Sequence, residues 1–513
     1  MSEKKMELTP LKIRSHGASS VMHYDERYTP YIEMTGLLPF VQLVSRSTPN
    51  LNVAAVTALI DRWRPETHSF HLRTGEMTVT LQDVSMITAL PIEGKPRCMS
   101  TDSEGWRHQM EALIGMSPQE PEVEDGGKKD RVPVGATFTW IAANFAHCPE
   151  DADDEVIQRY ARVYMWYVIS RTIFADGTGK NAPWMWLKAL TVLDNKFSWG
   201  SAALAYLYRQ LDDACRRTTK DGGVGGCMLL LSVWSWERLP VGRPKSSKWN
   251  TWDDHDNPVR QPTWAYKWDL VSEVASEVNL LYKQYTNEMD SLTPEQVEWD
   301  PYGVGTNFGD AHTFKLNALC VQERHLWLMR CPLICNWAVE WHLPHRVLRQ
   351  FGYFQPHPPE WVDTDTQLHR LDRRRQRKIK DWQKHHKSYV LMFEQSVQAT
   401  SSIQRTQYPS SGARMDDGDI TSAANTQRNT QEDDVDTPQA ADDMTLKAFQ
   451  RSAYMLKPRK EFKRYSPDDY AKGKNPVAGS SRLSKYSSNH IFSSKNVSNF
   501  DPGKIIFFPC VSR

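Results

Sequence analysis

Long apolar runs are missing from this chain. The longest, residues 227–236, is broken by Ser232 and Ser235. A membrane-spanning helix needs about 20 apolar residues, so no membrane span is expected. A disulfide framework is missing too: Cys98, Cys148, Cys215, Cys227, Cys320, Cys331, Cys335 and Cys510 are scattered without paired spacing. The N-terminus is too polar for a secretory signal, and a reducing intracellular compartment is therefore expected. Charge of one sign is lacking, since 63 Lys and Arg against 62 Asp and Glu leave +1. Attraction to nucleic acid would have to come from a local patch. No self-similarity at a fixed period is present, which argues against a solenoid.

Tryptophan is abundant, but none of the 19 lies beyond Trp382. So many large rigid rings call for a thick interior. The expected organisation is a polar, loose N-terminus over 1–30, a folded domain over 31–393 and a disordered tail over 394–513. The tail is rich in Ser, Thr, Gln, Asn and Asp and segregates its charge: nine acids lie between Asp416 and Asp443, and eleven Lys or Arg against three acids lie between Lys447 and Lys485.

The densest local signals fall in 57–94. Asn52 can cap a helix carrying Val53, Val56, Leu59, Ile60 and Trp63, which Pro65 forces to end by Arg64. His68, Phe70 and Leu72, then Met77, Val79 and Leu81, alternate with polar residues about Gly75 and predict a β-hairpin. Thr80 and Asp83 stand at capping-box spacing before a helix that ends ahead of Pro91. Further along, 95–129 is expected to be a flexible loop. Helices are predicted over 35–44, over 153–174, 182–193, 198–214, 227–238 and 264–289, then over 322–329, 335–341 and 364–393, with another beginning at Thr137. Ser198 is a plausible cap, and Thr293 and Gln296 form a second capping box. The sum is a mainly α-helical globule with a small β-hairpin, followed by the tail.

The strings RWRPETHSFHL at 62–72 and GEMTVTLQDVSMITALPIEG at 75–94 resemble the signature of the plant mobile domain family. Similar stretches continue at 131–140, 160–194, 199–211, 228–244 and 324–352, so that the resemblance spans roughly 34–393. Its signature positions here are Arg62, Trp63, Arg64, Pro65, Glu66, His68, Phe70, Gly75, Glu76 and Asp83. The resemblance implies a non-enzymatic nuclear interaction module acting in transposable-element silencing, gene expression and genome or meristem maintenance. Its partners would be nuclear proteins, among them a protein phosphatase 7-like phosphatase. No catalytic residues or cofactor carry over from the family.

Several constellations invite chemistry. The run 372–387 holds eight Lys or Arg against two Asp. Arg373, Arg374, Arg375, Arg377, Lys378 and Lys380 could serve nuclear import or contact phosphates, with Trp382 to stack on a base; a solvated helix face is the alternative. Cys331, Cys335, His342 and His345 have zinc-ligating chemistry, but only six residues separate Cys335 from His342, and Cys331, Leu333 and Ile334 read as core. His68 and His71 point to opposite faces of a strand, which favours a hydrogen-bonded structural role. Arg62 and Arg64 around Trp63, beside Glu66, suggest an ion-pair and cation–π cluster locking helix to hairpin. Asp194, Asp212, Asp213 and Glu237 are the carboxylates a nuclease would need, with no spacing that singles out a triad. The segments 176–181 and 222–226 lack phosphate-loop spacing and read as turns.

Two further functions stand beside the interaction module. One is a transposon-derived DNA-binding protein. The other is a pyridoxal-dependent enzyme, since domains of this family have carried the label aminotransferase-like, with Lys180 or Lys188 as the Schiff-base candidate.

Overall fold

Asn52 accepts a hydrogen bond from the Ala55 amide at 3.2 Å, and a helix follows as its spacing requires. The computed structural model describes residues 9–13, 21–46, 48–119, 134–177, 179–217, 222–245, 262–268, 271, 276–302, 316–357 and 379–407, with side chains through Ser401. The described helices are α1 (Thr29–Thr35), α2 (Leu38–Arg46), α3 (Val53–Ile60), α4 (Leu81–Thr88), α5 (Trp106–Ile114), α6 (Phe138–Phe145), α7 (Asp154–Val168), α8 (Trp184–Ala189), α9 (Trp199–Cys215), α10 (Met228–Arg238), α11 (Val278–Ser291), α12 (Leu319–Gln322), α13 (Trp382–His385) and α14 (Lys387–Gln407). Three small antiparallel sheets complete the described fold: β1 (Trp63–Arg64), β2 (Ser69–Leu72) and β3 (Gly75–Met77); β4 (Gly135–Thr137) and β5 (Asn181–Pro183); β6 (Cys331–Cys335) and β7 (Ala338–His342).

Helix α9 is the axis. All but three of its seventeen residues are buried, and it packs against β6, β7, α4, β1 and α3. Small residues permit this. A Cβ on Gly200 would lie 2.8 Å from Val84 Cγ1 and 2.9 Å from Leu90 O, so only glycine lets α9 approach α4 this closely. Helix α10, buried along its whole length, packs on α4, while α11 covers α3. Trp63, Trp166, Trp186, Trp199, Trp234, Trp236 and Trp268 are all fully buried, the use expected for so much tryptophan.

The signature stretch holds its expected order with two changes. Trp63 leaves the helix and opens β1, pairing with Phe70 across an extra strand. Phe70 then pairs with Met77 and Leu72 with Gly75, as the alternation predicts. Strand β3 stops at Met77 because the Gln350 side chain takes over the Thr78 backbone. Thr78 N donates to Gln350 Oε1 at 2.8 Å, and Gln350 Nε2 donates to Thr78 O at 2.7 Å. The Thr80–Asp83 capping box forms as spaced, and so does that of Thr293 and Gln296.

Other expectations are corrected. The segment 335–341, expected as helix, is the turn and second strand of the β6–β7 hairpin, with Cys331 opposite His342 and Leu333 opposite Glu340. Asn336 makes the turn at φ 51°, a left-handed conformation that asparagine tolerates. The loop expected over 95–129 contains α5, whose Trp106, Met110 and Ile114 form a buried stripe at helical spacing. Ser198 holds the N-cap position of α9 as expected, but its hydroxyl caps no amide there and donates instead to Ile92 O at 2.6 Å. Within 1–30, Leu11, Met22 and Tyr28 are buried, and the Leu11 amide donates to Thr57 Oγ1. The helix expected over 364–393 begins, among the described residues, only at Trp382, and α14 runs on to Gln407. Among the described residues no helix is long and apolar enough to cross a membrane.

Candidate functional site

Most of the signature residues turn into the interior: Arg62, Trp63, Pro65, His68, Phe70 and Asp83 are buried, while Arg64, Glu66, Gly75 and Glu76 are half-buried. Trp63 lies with its ring edge-on to Phe70, at 4.9 Å between centroids, and its Nε1 donates to Asp212 Oδ1 at 2.6 Å. Pro65 is buried in the turn that follows β1. Arg62 crosses to α11, donating to Thr286 O and Asp290 Oδ1, both at 2.7 Å, so it ties α3 to a helix far along the chain. Arg64 donates to the Trp63 carbonyl at 3.1 Å. Glu76 binds Arg346 through both oxygens, at 2.6 and 2.8 Å. Burial works to raise the Glu76 pKa, but Arg346 outweighs it and holds the carboxyl below its ordinary range.

Beneath the sheet lies a buried polar cluster. His68 sits just before β2 at φ 48°, which turns its ring inward. The ring stacks on Tyr208 at 5.3 Å and 19°. His68 Nδ1 faces Trp341 O at 3.1 Å, and Nε2 lies 2.9 Å from Glu340 Oε2. Arg209 Nε donates to Glu340 Oε1 at 2.5 Å. Asp212, one turn along α9 from Arg209, completes the group. Ligand-capable atoms of His68, Asp212 and Glu340 all lie within 4.8 Å of one another, and all three residues are buried. The Tyr208 hydroxyl donates to Val79 O at 2.5 Å and accepts from Thr78 Oγ1 at 3.2 Å, fastening α9 to the end of the sheet.

A second buried pair joins α4 to α10. Asp83, at the start of α4, takes Thr80 N and Thr80 Oγ1 on Oδ2, both at 2.7 Å. On Oδ1 it takes Arg238 at 2.6 Å and the Tyr302 hydroxyl at 3.0 Å. Burial and the adjacent carboxylate push the Tyr302 hydroxyl pKa far up, so it remains a donor. One carboxylate thus caps a helix and neutralises a buried guanidinium.

The remaining candidates fall apart or inward. Cys331 and His342 face each other across β6–β7, but His342 is committed to backbone. Its Nδ1 donates to Met329 O at 2.7 Å and its Nε2 accepts from Leu81 N at 3.3 Å. Burial pushes the His342 pKa down to about 4 and the Cys335 thiol up to about 12, the behaviour of neutral core groups. Asp194 pairs with exposed Lys196, Asp213 is exposed, and Glu237 pairs with Lys267 and Trp268, so of these four carboxylates only Asp212 joins the cluster. Lys188 Nζ reaches the Asp102 carbonyl at 3.5 Å. Of the basic run, Arg373, Arg374, Arg375, Arg377 and Lys378 lie outside the described residues. Lys380 pairs with Asp102 at 3.1 Å in non-helical backbone. Trp382 is buried and donates to Thr101 Oγ1 at 3.0 Å, which corrects its assignment as a stacking platform.

Glu340, Arg209, Arg238 and Tyr302 complete these clusters from remote positions, and little in their local sequence marks them. Glu340 has one faint signal: Val339 and Trp341 alternate with Glu340 and His342, a period of two that fits a strand, and Ala338, Glu340 and His342 share one face of β7.

This architecture defines a mainly α-helical domain whose small sheet closes over a buried ionic core. Residues 39–410 match the plant mobile domain, and the chain belongs to that family. It is 34% identical over 357 residues to an Arabidopsis thaliana protein named serine/threonine-protein phosphatase 7 long form homolog, covering 69% of this chain and 25% of that one. It is 33% identical over 313 residues to Protein MAINTENANCE OF MERISTEMS of the same plant, covering 61% and 59% of the two chains. Protein MAIN-LIKE 1, also from that plant, is 32% identical over 326 residues, 63% of this chain and 58% of its own. The match thus spans between a quarter and three-fifths of these relatives. No solved structure matches the chain.

Proposed function

We propose that this chain is a non-catalytic nuclear interaction module, acting with a protein phosphatase 7-like phosphatase in transposable-element silencing, gene expression and meristem maintenance. The observation that carries this reading is the inward turn of the signature. Trp63, His68, Glu76 and Asp83 each hold internal partners that fasten one element to another, so what the family signature specifies is a scaffold. A relative bearing a phosphatase name matches over only 25% of its length. That supports a module that works in the company of chemistry housed elsewhere.

A partner surface would then use exposed aromatics such as Tyr353 and Phe354, which follow the short turn Leu348–Phe351. The test is the location and retention of the tagged full chain. Nuclear accumulation, with phosphatase capture reduced at least tenfold by Y353A/F354A and unaffected by nuclease, supports the proposal. Exclusion from the nucleus contradicts it. If retention instead falls steeply with salt and disappears when 372–387 are deleted, the DNA-binding alternative takes its place.

A further inference from the structure

We propose that His68, Asp212 and Glu340 form a structural binding site for a divalent first-row transition ion, with zinc as the reference ion. The three residues come from three elements: the turn before β2, helix α9 and strand β7. Their ligand-capable atoms lie within 4.8 Å of one another in the interior. The proposal rests on this geometry and is independent of the partner reading.

The argument starts at the imidazole. His68 Nδ1 faces the Trp341 carbonyl at 3.1 Å. A carbonyl can only accept, so Nδ1 carries the proton. A neutral ring then presents the Nε2 lone pair to Glu340 Oε2 at 2.9 Å. Two acceptors at that distance repel; Arg209 neutralises the carboxylate from its other oxygen, and between Nε2 and Oε2 themselves a second proton or a metal ion is required. Asp212 brings a further carboxylate to the same point.

The surroundings have the pattern of an outer coordination shell. Each ligand is oriented by a bond on its other atom: Nδ1 by Trp341 O, Asp212 Oδ1 by Trp63 Nε1 at 2.6 Å, and Glu340 Oε1 by Arg209 Nε at 2.5 Å. Such partners fix tautomer and rotamer in metal sites. One nitrogen and two carboxylate oxygens suit zinc, manganese or iron, whose ligands lie at about 2.0–2.2 Å. To reach those lengths the three side chains would have to draw together from positions within 4.8 Å of one another. Because the ligands are buried, the ion enters as the chain folds, and its binding energy adds to stability. Coordination exchanges any Nε2 proton for the metal and leaves the Nδ1 proton in place.

The test is elemental analysis of the full chain, produced in zinc-supplemented medium and purified without an immobilised-metal step. About one zinc per chain is expected, lost only on unfolding with a chelator, with a melting temperature several degrees lower afterwards. Asp212→Asn and His68→Gln should bring the content close to zero, while Asp213→Asn, at an exposed neighbour, retains it. Should the first two variants fail to fold, X-ray absorption of the wild-type chain decides: one imidazole and carboxylate oxygens without sulfur support the site. Metal-free wild-type protein overturns it, and nitrogen NMR would then show both His68 ring nitrogens protonated in a closed network with Glu340, Arg209 and Asp212. Zinc held through sulfur, or retained in full by Asp212→Asn, overturns it as well.

Discussion

Arg238 and Asp83 are both completely buried, and their 2.6 Å contact is the clearest case of a charge that this fold can hold only in company. Removing one partner strands the other: Asp83→Asn or Arg238→Met should each cost about 3–5 kcal/mol in urea denaturation, whereas the double variant should lose less than the sum. Asp83→Asn also loosens the cap of α4, so it should be the worse of the two. His386 offers a pH signature. It is buried against Trp382, and burial pushes its pKa from 6.5 down to about 4, with His385 and Arg209 nearby adding to the fall. The unfolded chain therefore takes up the proton first. Stability is full above about pH 6.5 and falls as pH drops toward 4, by about 1–3 kcal/mol from this group. The acid-limb slope of melting temperature should be shallower in His386→Phe; an unchanged slope would assign the loss to other groups. At this scale the sequence was legible where partners are three residues apart. Asn52, Thr80 and Asp83 declare themselves by cap spacing, whereas Glu340 and Arg238 act across 155 to 272 positions, measured from Asp83 to Arg238 and from His68 to Glu340, and only the fold brings them together.

Between elements, the α9–α4 contact decides how closely the molecule closes. Gly200→Ala places a methyl where Val84 and Leu90 already stand, so overpacking should cost about 1–3 kcal/mol, read as a lower denaturation midpoint with an unchanged slope. Thr80→Ala removes one side of the capping box and should cost about 1 kcal/mol by the same measurement. Long amphipathic helices such as α7 were legible because one periodic stripe runs through fifteen residues. The short elements were not. In β6–β7 both faces are largely buried, which weakens the alternation that marks a half-exposed strand, and Asn336 was the remaining turn signal. Helix α5 lay beside a charged, glycine-containing stretch whose composition masked its three-residue stripe.

For the whole molecule, the family and its helical class were readable from the signature strings, since those strings encode caps, turns and inward-facing polar groups that the fold uses. The partner surface was not readable, because a docking patch needs neither periodicity nor buried partners. Trp382 shows the hazard: a tryptophan inside a basic run suggested base stacking, yet it is core. The proposed role is that of a scaffold whose chemistry resides in another protein. Its most direct test is mild affinity purification of the tagged full-length chain from nuclei, followed by nuclease treatment and mass spectrometry. A serine/threonine phosphatase of the protein phosphatase 7 kind, retained after nuclease, is the predicted result. Partners that vanish with nuclease, leaving no phosphatase, would contradict the scaffold role and move function to the basic segment.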